Sequence, residues 1–527
     1  MDKAFRIKLR WLIFLSTLVR ILFANLLELG NDEVYYYTYA LQPDWNHFDH
    51  PPMIGFLIKF FTLNLHWVNT FSMRLGAIFL AALNTWIIAC IVRRIANDRA
   101  AFIAAILFTA SIYSSIISGI FILPDSICNT FWLAALYCMV LIVKPKDKKE
   151  QTEALLFLGV WIGLACMSKV HGIFLWLGFL AYLFFHQRSL LKNWAFYVSL
   201  IISGLIISPI VLWNIQHDFI TWRFHGERVS LLDAGIQIHF FLQAFFGQVL
   251  YNNPLLCLIY AYLALAVIKN WKYHTQHCRK EIAVILYCGL PIIFIASFIS
   301  LFKQVLPHWS GAGFFSIMIL AAVWIDQELS LEKIRTVRKV FNWMLFFTLG
   351  FMILAVCIIH FYPGNPIGFK SGNELGKEDV SIEMIGWEQF AKEFEKIRSE
   401  DLEQKRMQEN DPILVNKWFP AGHILFYVAR SLEIPLLGEG KLHDLHKFAW
   451  LNNMANPIQI ADDAYYISPS NNHVEPYEIY GEDFESINLR KIIQQKRAGV
   501  VVRKWYIYHL KGAKRVLGAD LIKDHLR

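Results

Sequence analysis

Long apolar runs separated by short polar loops constrain this chain more than any other feature. A bilayer core of ~30 Å takes roughly 20 residues of helix, and eleven runs reach or approach that length. They cover residues 9–29, 70–91, 100–118, 126–143, 154–168, 172–185, 195–214, 252–268, 282–301, 309–325 and 341–361. Only 17% of the residues are charged, against roughly 25% in soluble proteins. The pattern predicts a polytopic α-helical membrane protein and excludes a soluble enzyme, a disordered chain and a nucleic-acid-binding protein.

The loops alternate in their content of basic residues. With the N-terminus placed in the cytoplasm, the cytoplasmic loops hold 21 Lys and Arg residues and the outer loops only five. Lys and Arg favour the cytoplasmic side, so this bias predicts the orientation. An odd number of spans then places the C-terminal part on the outer side.

The apolar runs stop near His360, which predicts two domains. Residues 1–361 form the membrane domain, and two outer stretches in it, 53–67 and 236–250, are predicted to be interfacial helices. Residues 362–527 mix a helical pattern with short β-like runs, which predicts a soluble α/β domain. None of the eight cysteines has the spacing of a zinc site or of a disulfide framework.

Acidic residues follow the first span directly. Asp32 and Glu33 stand at a position where ionisable groups are costly and usually functional, and Tyr35, Tyr36 and Tyr37 come next, as in an interfacial aromatic belt. The alternative is that Asn31 or Asp32 only caps a helix.

A second motif precedes a proline pair. Asp49 and His50 stand before Pro51 and Pro52, and the prolines prevent a helix from running through them. Such a turn can hold a carboxylate and an imidazole rigidly at the bilayer surface, although a plain turn gives the same pattern.

Further polar residues stand in the other outer loops. Each of them could be a helix cap, a snorkelling cation or a solvated side chain. Together, the carboxylates, histidines and cations on one side of the membrane suit an anionic, lipid-linked substrate, with cations that bind phosphate and a carboxylate that serves as base. They are Asp125, Lys169, His225, Arg228, Lys303 and His308.

In order and spacing, the motifs resemble those of the C-type membrane glycosyltransferases, specifically the protein-mannosyltransferase-like glycosyltransferase family 39. The bacterial branch, with the lipid A aminoarabinose transferases and the lipopolysaccharide galacturonic acid transferases, is the nearer match. The matching stretches are residues 32–36, 48–53, 123–126 with Phe131 and Trp132, 168–169, 208–217, 307–309 and, in the soluble part, 418–427.

The resemblance implies an inverting glycosyltransferase with a C-type fold. It would move one sugar from a polyprenyl-phosphate donor to a lipid or glycan acceptor, at the periplasmic face of a bacterial inner membrane and as a monomer. Asp32 is implied as the catalytic base, with Glu33 beside it. The residues expected to bind substrate are Tyr36, Asp49, His50, Asp125, Lys169, His225, Arg228, Lys303 and His308.

The resemblance also bears on a cofactor and on the sugar. In relatives, an acidic residue before the proline pair and a histidine of a later outer loop can share a divalent metal (Zn, Mn or Mg), and Asp49 and His225 occupy those places. The alternative is that Asp49 caps the turn and His225 is solvated. The aminoarabinose transferases have a lysine where this chain has His50, which argues against aminoarabinose as the sugar.

Two other functions stay open from the sequence. A protein O-glycosyltransferase that resembles O-mannosyltransferases would share the motifs and differ in its acceptor. A transporter or flippase for a lipid-linked solute would place its charges near the bilayer midplane and show repeat symmetry. Here the acidic groups cluster at one surface and no internal repeat is evident.

Overall fold

The computed structural model describes residues 3–231, 235–269, 279–328, 334–368, 370–519 and 521–522. The chain divides into two compact units, residues 1–24 with 45–351 and residues 25–44 with 352–527. The predicted boundary at residue 361 therefore lies close to the second break. The sequence did not predict that residues 25–44, which follow helix α1 (Lys3–Ala24) and include helix α2 (Asn31–Leu41), belong with the C-terminal part.

The first unit is helical, and every predicted apolar run overlaps a helix. Its helices after α1 are α3 (Met53–Phe61), α4 (Thr70–Ile95), α5 (Asp98–Ala110), α6 (Pro124–Val143), α7 (Lys148–Ser168), α8 (Ile173–His186), α9 (Trp194–Gln216), α10 (Ile220–Val229), α11 (Ile238–Tyr251), α12 (Pro254–Lys269), α13 (Lys280–Ile299), α14 (Phe314–Glu328) and α15 (Ile334–Phe361), of which α15 crosses the break between the units.

Among the described residues, seven helices are long and apolar enough to cross a membrane, and an eighth span results if α11 and α12 count as one. The number eleven therefore stays a prediction, partly because α5 and α8 have only 13 and 14 residues. The predicted interfacial stretches are helical as α3 and α11.

Helices α11 and α12 meet at a bend of 103°. Asn253 stands at the bend with φ +73°, a left-handed conformation that Asn tolerates better than most residues. Its buried side-chain amide donates to the carbonyls of Ala110 and Met344, at 3.0 Å each. These bonds connect the bend to the end of α5 and to the middle of α15.

The first unit has a large apolar core from α4 to α15 and a smaller apolar cluster between α1, α4 and α5. Glycine allows close approach of the helices that form the large core, as is common between membrane helices. A Cβ on Gly159 of α7 would lie 2.2 Å from the Ser199 carbonyl oxygen of α9, and one on Gly178 of α8 would lie 2.4 Å from the Tyr287 carbonyl oxygen of α13.

The second unit contains a five-stranded mixed sheet with the order β2-β1-β3-β5-β4. The strands are β1 (Ile413–Val415), β2 (Leu436–Gly438), β3 (Ala464–Pro469), β4 (Phe484–Arg497) and β5 (Val500–Ala513). Strand β1 is parallel to β2 and β3, whereas β5 is antiparallel to β3 and β4. The predicted α/β class of this part is confirmed.

The second unit also contains helices besides α2. They are α16 (Trp387–Glu403), α17 (Trp418–His423), α18 (Leu442–Leu445), α19 (Phe448–Leu451) and α20 (Pro476–Tyr480). Helix α2 packs within this unit through its aromatic side chains. The rings of Tyr35 and Trp418 lie 5.4 Å apart, and those of Tyr37 and Phe426 lie 5.2 Å apart.

Candidate active site

In the first unit, the turn before the proline pair is tied to helix α10. The Asn46 amide donates to the Thr221 hydroxyl at 2.9 Å, and that hydroxyl donates to the His47 carbonyl at 3.0 Å. The rings of Phe48 and Phe224 pack with centroids 4.8 Å apart. Two segments about 170 residues apart in sequence therefore form one rigid edge of the site.

This edge brings the predicted pair Asp49 and His225 together, through the main chain of Asp49. The His225 Nε2 atom lies 2.6 Å from the Asp49 carbonyl oxygen. Because a carbonyl only accepts, Nε2 carries the proton and donates. His225 is thus neither simply solvated nor oriented with Nε2 as a lone-pair ligand.

His50 lies beside His225, with ring centroids 5.9 Å apart. Burial lowers the pKa of His50 to about 3; the Asp49 carboxylate opposes this shift, whereas the charge of Lys169 adds to it. Burial also lowers the pKa of His225, against the effect of its bond to Asp49. At neutral pH both imidazoles are uncharged, and the single N–H of His225 is already donated to the Asp49 carbonyl.

A buried ion pair lies within electrostatic range of His50. The Lys169 Nζ atom at the end of α7 lies 2.8 Å from the Asp125 carboxylate in the first turn of α6, and each side chain is only 5% exposed. The Tyr113 hydroxyl donates to the other Asp125 oxygen at 2.9 Å. The charge of Lys169 is therefore largely balanced by Asp125.

Two further predicted cations come from other segments. The Arg228 guanidinium lies over the rings of Phe224 and Trp309, 5.4 Å from each centroid. The Lys303 ammonium donates to the Glu227 carbonyl at 3.3 Å. Within the described residues neither cation forms an ion pair within 4 Å, so both can bind an anion. His308 precedes Trp309 and lies within electrostatic range of Lys169, Asp125 and Arg228.

The residues of this site do not fit a divalent metal well. Within the described part of the chain, no group of three or more His, Cys, Asp or Glu side chains is arranged to hold a metal ion. In the predicted pair, His225 uses Nε2 to donate to the Asp49 carbonyl, which leaves only Nδ1 with a lone pair for a metal. We therefore derive no catalytic step through a metal.

The second unit holds the other predicted residues, Asp32, Glu33 and Tyr36. Helix α2 begins at Asn31 after Gly30 as N-cap, so neither Asn31 nor Asp32 is the cap. The buried Glu33 carboxylate accepts from the Gly30 N–H at 2.9 Å, which closes the first turn of the helix. Asp32 is exposed on the same turn and is thus the accessible carboxylate of the two.

The tyrosines of α2 are buried rather than arrayed on a surface. Tyr36 is 5% exposed, and its ring packs against Tyr35 and Tyr39, with centroids 5.6 Å and 5.5 Å away. In this structure Tyr36 supports the helix that carries Asp32.

Sequence reasoning missed several residues of these two clusters. Tyr113 stands in a π-helical segment, residues 113–117, whose polar Ser114 and Ser115 interrupt an apolar run and offered a weak signal. In the second unit Glu383 and His423 interact with the first turn of α2, and Arg503 interacts electrostatically with Glu28 just before it. No local motif marks them.

Comparison with known proteins agrees with the resemblance seen in the sequence. Residues 49–213 match the family described as dolichyl-phosphate-mannose-protein mannosyltransferase. This segment contains the proline-pair turn and the Asp125–Lys169 pair. A comparison with curated protein sequences gives no match.

The fold is similar to that of a solved structure over almost the whole chain. ArnT from Cupriavidus metallidurans bound to undecaprenyl phosphate has a TM-score of 0.61 at 12% identity, with 95% of this chain and 97% of that chain covered. The apo form of the same protein gives 0.60 at 13% identity, with the same coverage. The chain is thus a multi-pass membrane protein with the C-type glycosyltransferase fold, and the predicted fold class is confirmed.

Proposed function

We propose that this protein is an inverting glycosyltransferase that moves one sugar from a polyprenyl-phosphate donor to a lipid or glycan acceptor. The observation that carries the proposal is the cluster of Arg228 and Lys303 beside the uncharged His50 in the first unit. Positive charge and N–H donors are what a phosphate group needs. The fold supports the same donor, because the ArnT structure of this fold contains undecaprenyl phosphate.

In the proposed reaction, the carboxylate of Asp32 takes the proton of an acceptor hydroxyl. The acceptor oxygen then forms a bond to the anomeric carbon of the sugar. The bond from that carbon to the phosphate oxygen breaks, and its electron pair leaves with the polyprenyl phosphate. Arg228 and Lys303 stabilise the charge that grows on the leaving phosphate.

Substitution of Asp32 tests the proposal directly. Asp32→Asn removes the base and keeps the shape, so transfer by purified protein should fall by about 10²- to 10⁴-fold. Asp218→Asn is the matched control, because Asp218 is an exposed acid on another loop and its loss should leave transfer unchanged. Wild-type turnover by Asp32→Asn protein would refute the role of Asp32.

The phosphate cluster has a matched control on one helix. Arg223 and Arg228 both lie on α10, but Arg223 pairs with Asp218, whereas Arg228 lies over Trp309. Arg228→Gln should raise KM for the donor at least about tenfold, the loss of one charge-assisted hydrogen bond. Arg223→Gln should not, and equal effects of the two would contradict the assignment.

The proposal also includes a lipid or glycan acceptor, transfer at the periplasmic face and a monomeric protein. A separate experiment identifies the acceptor. Mass spectrometry of lipid A, core oligosaccharide and glycoproteins from a deletion strain should show a change in a lipid or glycan. A change confined to glycoproteins would instead favour a protein acceptor, in line with the name of the matched family. Turnover in detergent, where no second compartment exists, would separate an enzyme from a flippase.

A further inference from the structure

Three side chains, those of His423, Asn31 and Glu383, are joined by hydrogen bonds at the first turn of α2, next to the exposed Asp32. The His423 Nε2 atom lies 2.8 Å from the Asn31 Oδ1 atom. The Asn31 amide in turn makes a side-chain hydrogen bond to the Glu383 carboxyl group. Since Oδ1 accepts from His423, the Asn31 NH₂ group is the part that donates to Glu383.

The His423 side chain is immobilised by packing. The ring of His423 stacks flat on Trp387, with centroids 4.0 Å apart and an interplanar angle of 7°. Burial lowers the pKa of His423 well below its usual value, so the ring is neutral and its Nε2 proton is available to Asn31. Glu383 is therefore held at a defined place beside the turn that carries Asp32.

The charges around Glu383 are few and fixed. Arg503 lies within electrostatic range, but its guanidinium donates to the Gln495 side chain and the Ile385 carbonyl and lies over the ring of Trp505. The negative charges of Asp32 and, more weakly, Asp379 repel the ionised form of Glu383. Among the described residues, Glu383 makes no ion pair within 4 Å.

This environment makes the carboxyl group titrate in the physiological range. Burial, followed by the negative charge of Asp32, raises the pKa of Glu383 to about 7, against the opposing effects of the Asn31 bond and of Arg503. The repulsion is mutual. When Glu383 ionises, its charge increases the proton affinity of Asp32 and so makes Asp32 a stronger base.

We propose that Glu383 is a positioning residue for Asp32 that sets the base strength of this carboxylate and thereby the pH dependence of transfer. The inference rests on the proposed function. Glu383 forms and breaks no bond in the reaction, and the acceptor proton goes to Asp32. In this proposal the C-terminal part of the chain contributes to the chemistry.

The test is the pH profile of kcat between pH 5 and 9 with saturating donor. Wild-type protein should show a step to higher activity centred near pH 7. Glu383→Gln should lack this step and lose about threefold to tenfold in kcat above pH 8, the effect of about one pKa unit in a general base. KM for the donor should not change. Glu393→Gln, an exposed acid on α16, is the control and should keep the step.

Two further variants make the result decisive. Glu383→Asp keeps a carboxyl group and should keep the step at a shifted pH, and it decides the matter if Glu383→Gln does not fold. A step that persists unchanged in Glu383→Gln, or is unshifted in Glu383→Asp, overturns the proposal. Full activity of Asp32→Asn would overturn the underlying base assignment instead, so the two failures are distinguishable.

Discussion

The Asp125–Lys169 pair offers the sharpest test of the site geometry in the first unit. Substitution Lys169→Met removes the ammonium group that lies 2.8 Å from a carboxylate with 5% exposure. Breaking a buried pair by removing one partner costs about 3–5 kcal/mol, because a buried charge is left uncompensated. The Tyr113 hydroxyl still donates to Asp125, so we expect the lower end, about 3 kcal/mol.

Removing the second charge should restore most of this stability. In the double variant Asp125→Asn with Lys169→Met no buried charge remains, and the Asn carbonyl can still accept from Tyr113. Replacing a whole buried pair is often neutral, so we expect a free energy of unfolding within about 1 kcal/mol of wild type. The coupling energy of the cycle should thus be about 2 kcal/mol or more.

Unfolding of the purified protein in mixed micelles with increasing SDS measures these differences, with transfer activity recorded in parallel. Lys149→Met is the control, because Lys149 and Glu153 form an exposed pair 3.8 Å apart and such pairs contribute about 0–1 kcal/mol. If Lys169→Met is as stable as Lys149→Met, or if the double variant is no more stable than Lys169→Met, the pair is not buried as described.

Three further changes follow from single contacts. Gly311→Ala would place a Cβ 2.2 Å from the Tyr113 ring, so we expect about 1–3 kcal/mol of destabilisation in SDS unfolding and reduced transfer; a fully active, stable variant would contradict this packing. Asn253→Ala should lower the free energy of unfolding by about 2–4 kcal/mol, because the side-chain bonds are lost and Ala tolerates the left-handed φ of +73° poorly. Asn253→Gly should lower it less, because Gly tolerates this φ. The reverse order would argue against strain at the bend. His225→Gln should keep more transfer activity than His225→Ala, because Gln can donate to the Asp49 carbonyl. Transfer by the wild-type protein should also persist in EDTA. Inactivation by EDTA together with bound metal in the purified protein would favour a metal site instead.

The helices of the first unit could be predicted because hydropathy over about 20 residues is a local property. Each apolar run forms a helix, and the proline pair ends in a turn before α3. The contacts that shape the site were not local. Tyr113 reaches Asp125 from a π-helical segment, and the orientation of His225 depends on a main-chain carbonyl about 175 residues away, which side-chain motifs do not record.

The long hairpin of the second unit also escaped prediction for a physical reason. Strand β4 is an edge strand, and its burial does not alternate regularly, since its register to β5 shifts twice. Polar and charged residues such as Lys491 and Lys496 on an edge strand hinder pairing with another chain. Because of these residues, the strand also lacks the alternation of apolar and polar residues by which a strand is predicted from sequence.

The place of α2 differs from the predicted domain boundary, because residues 25–44 belong to the second unit. The sequence assigned this helix to the membrane part because it follows the first span directly. In the structure the residues just before α2 are bonded to the C-terminal part: the Leu29 N–H donates to the Tyr427 hydroxyl at 2.7 Å, and the Glu28 carboxylate accepts from the Trp387 N–H at 2.8 Å. A carboxylate at the N-terminus of α16 is favourably placed against the helix dipole. The candidate base is therefore held by residues some 360 to 400 positions further along the chain, so its orientation depends on a folded C-terminal part even if that part never touches an acceptor.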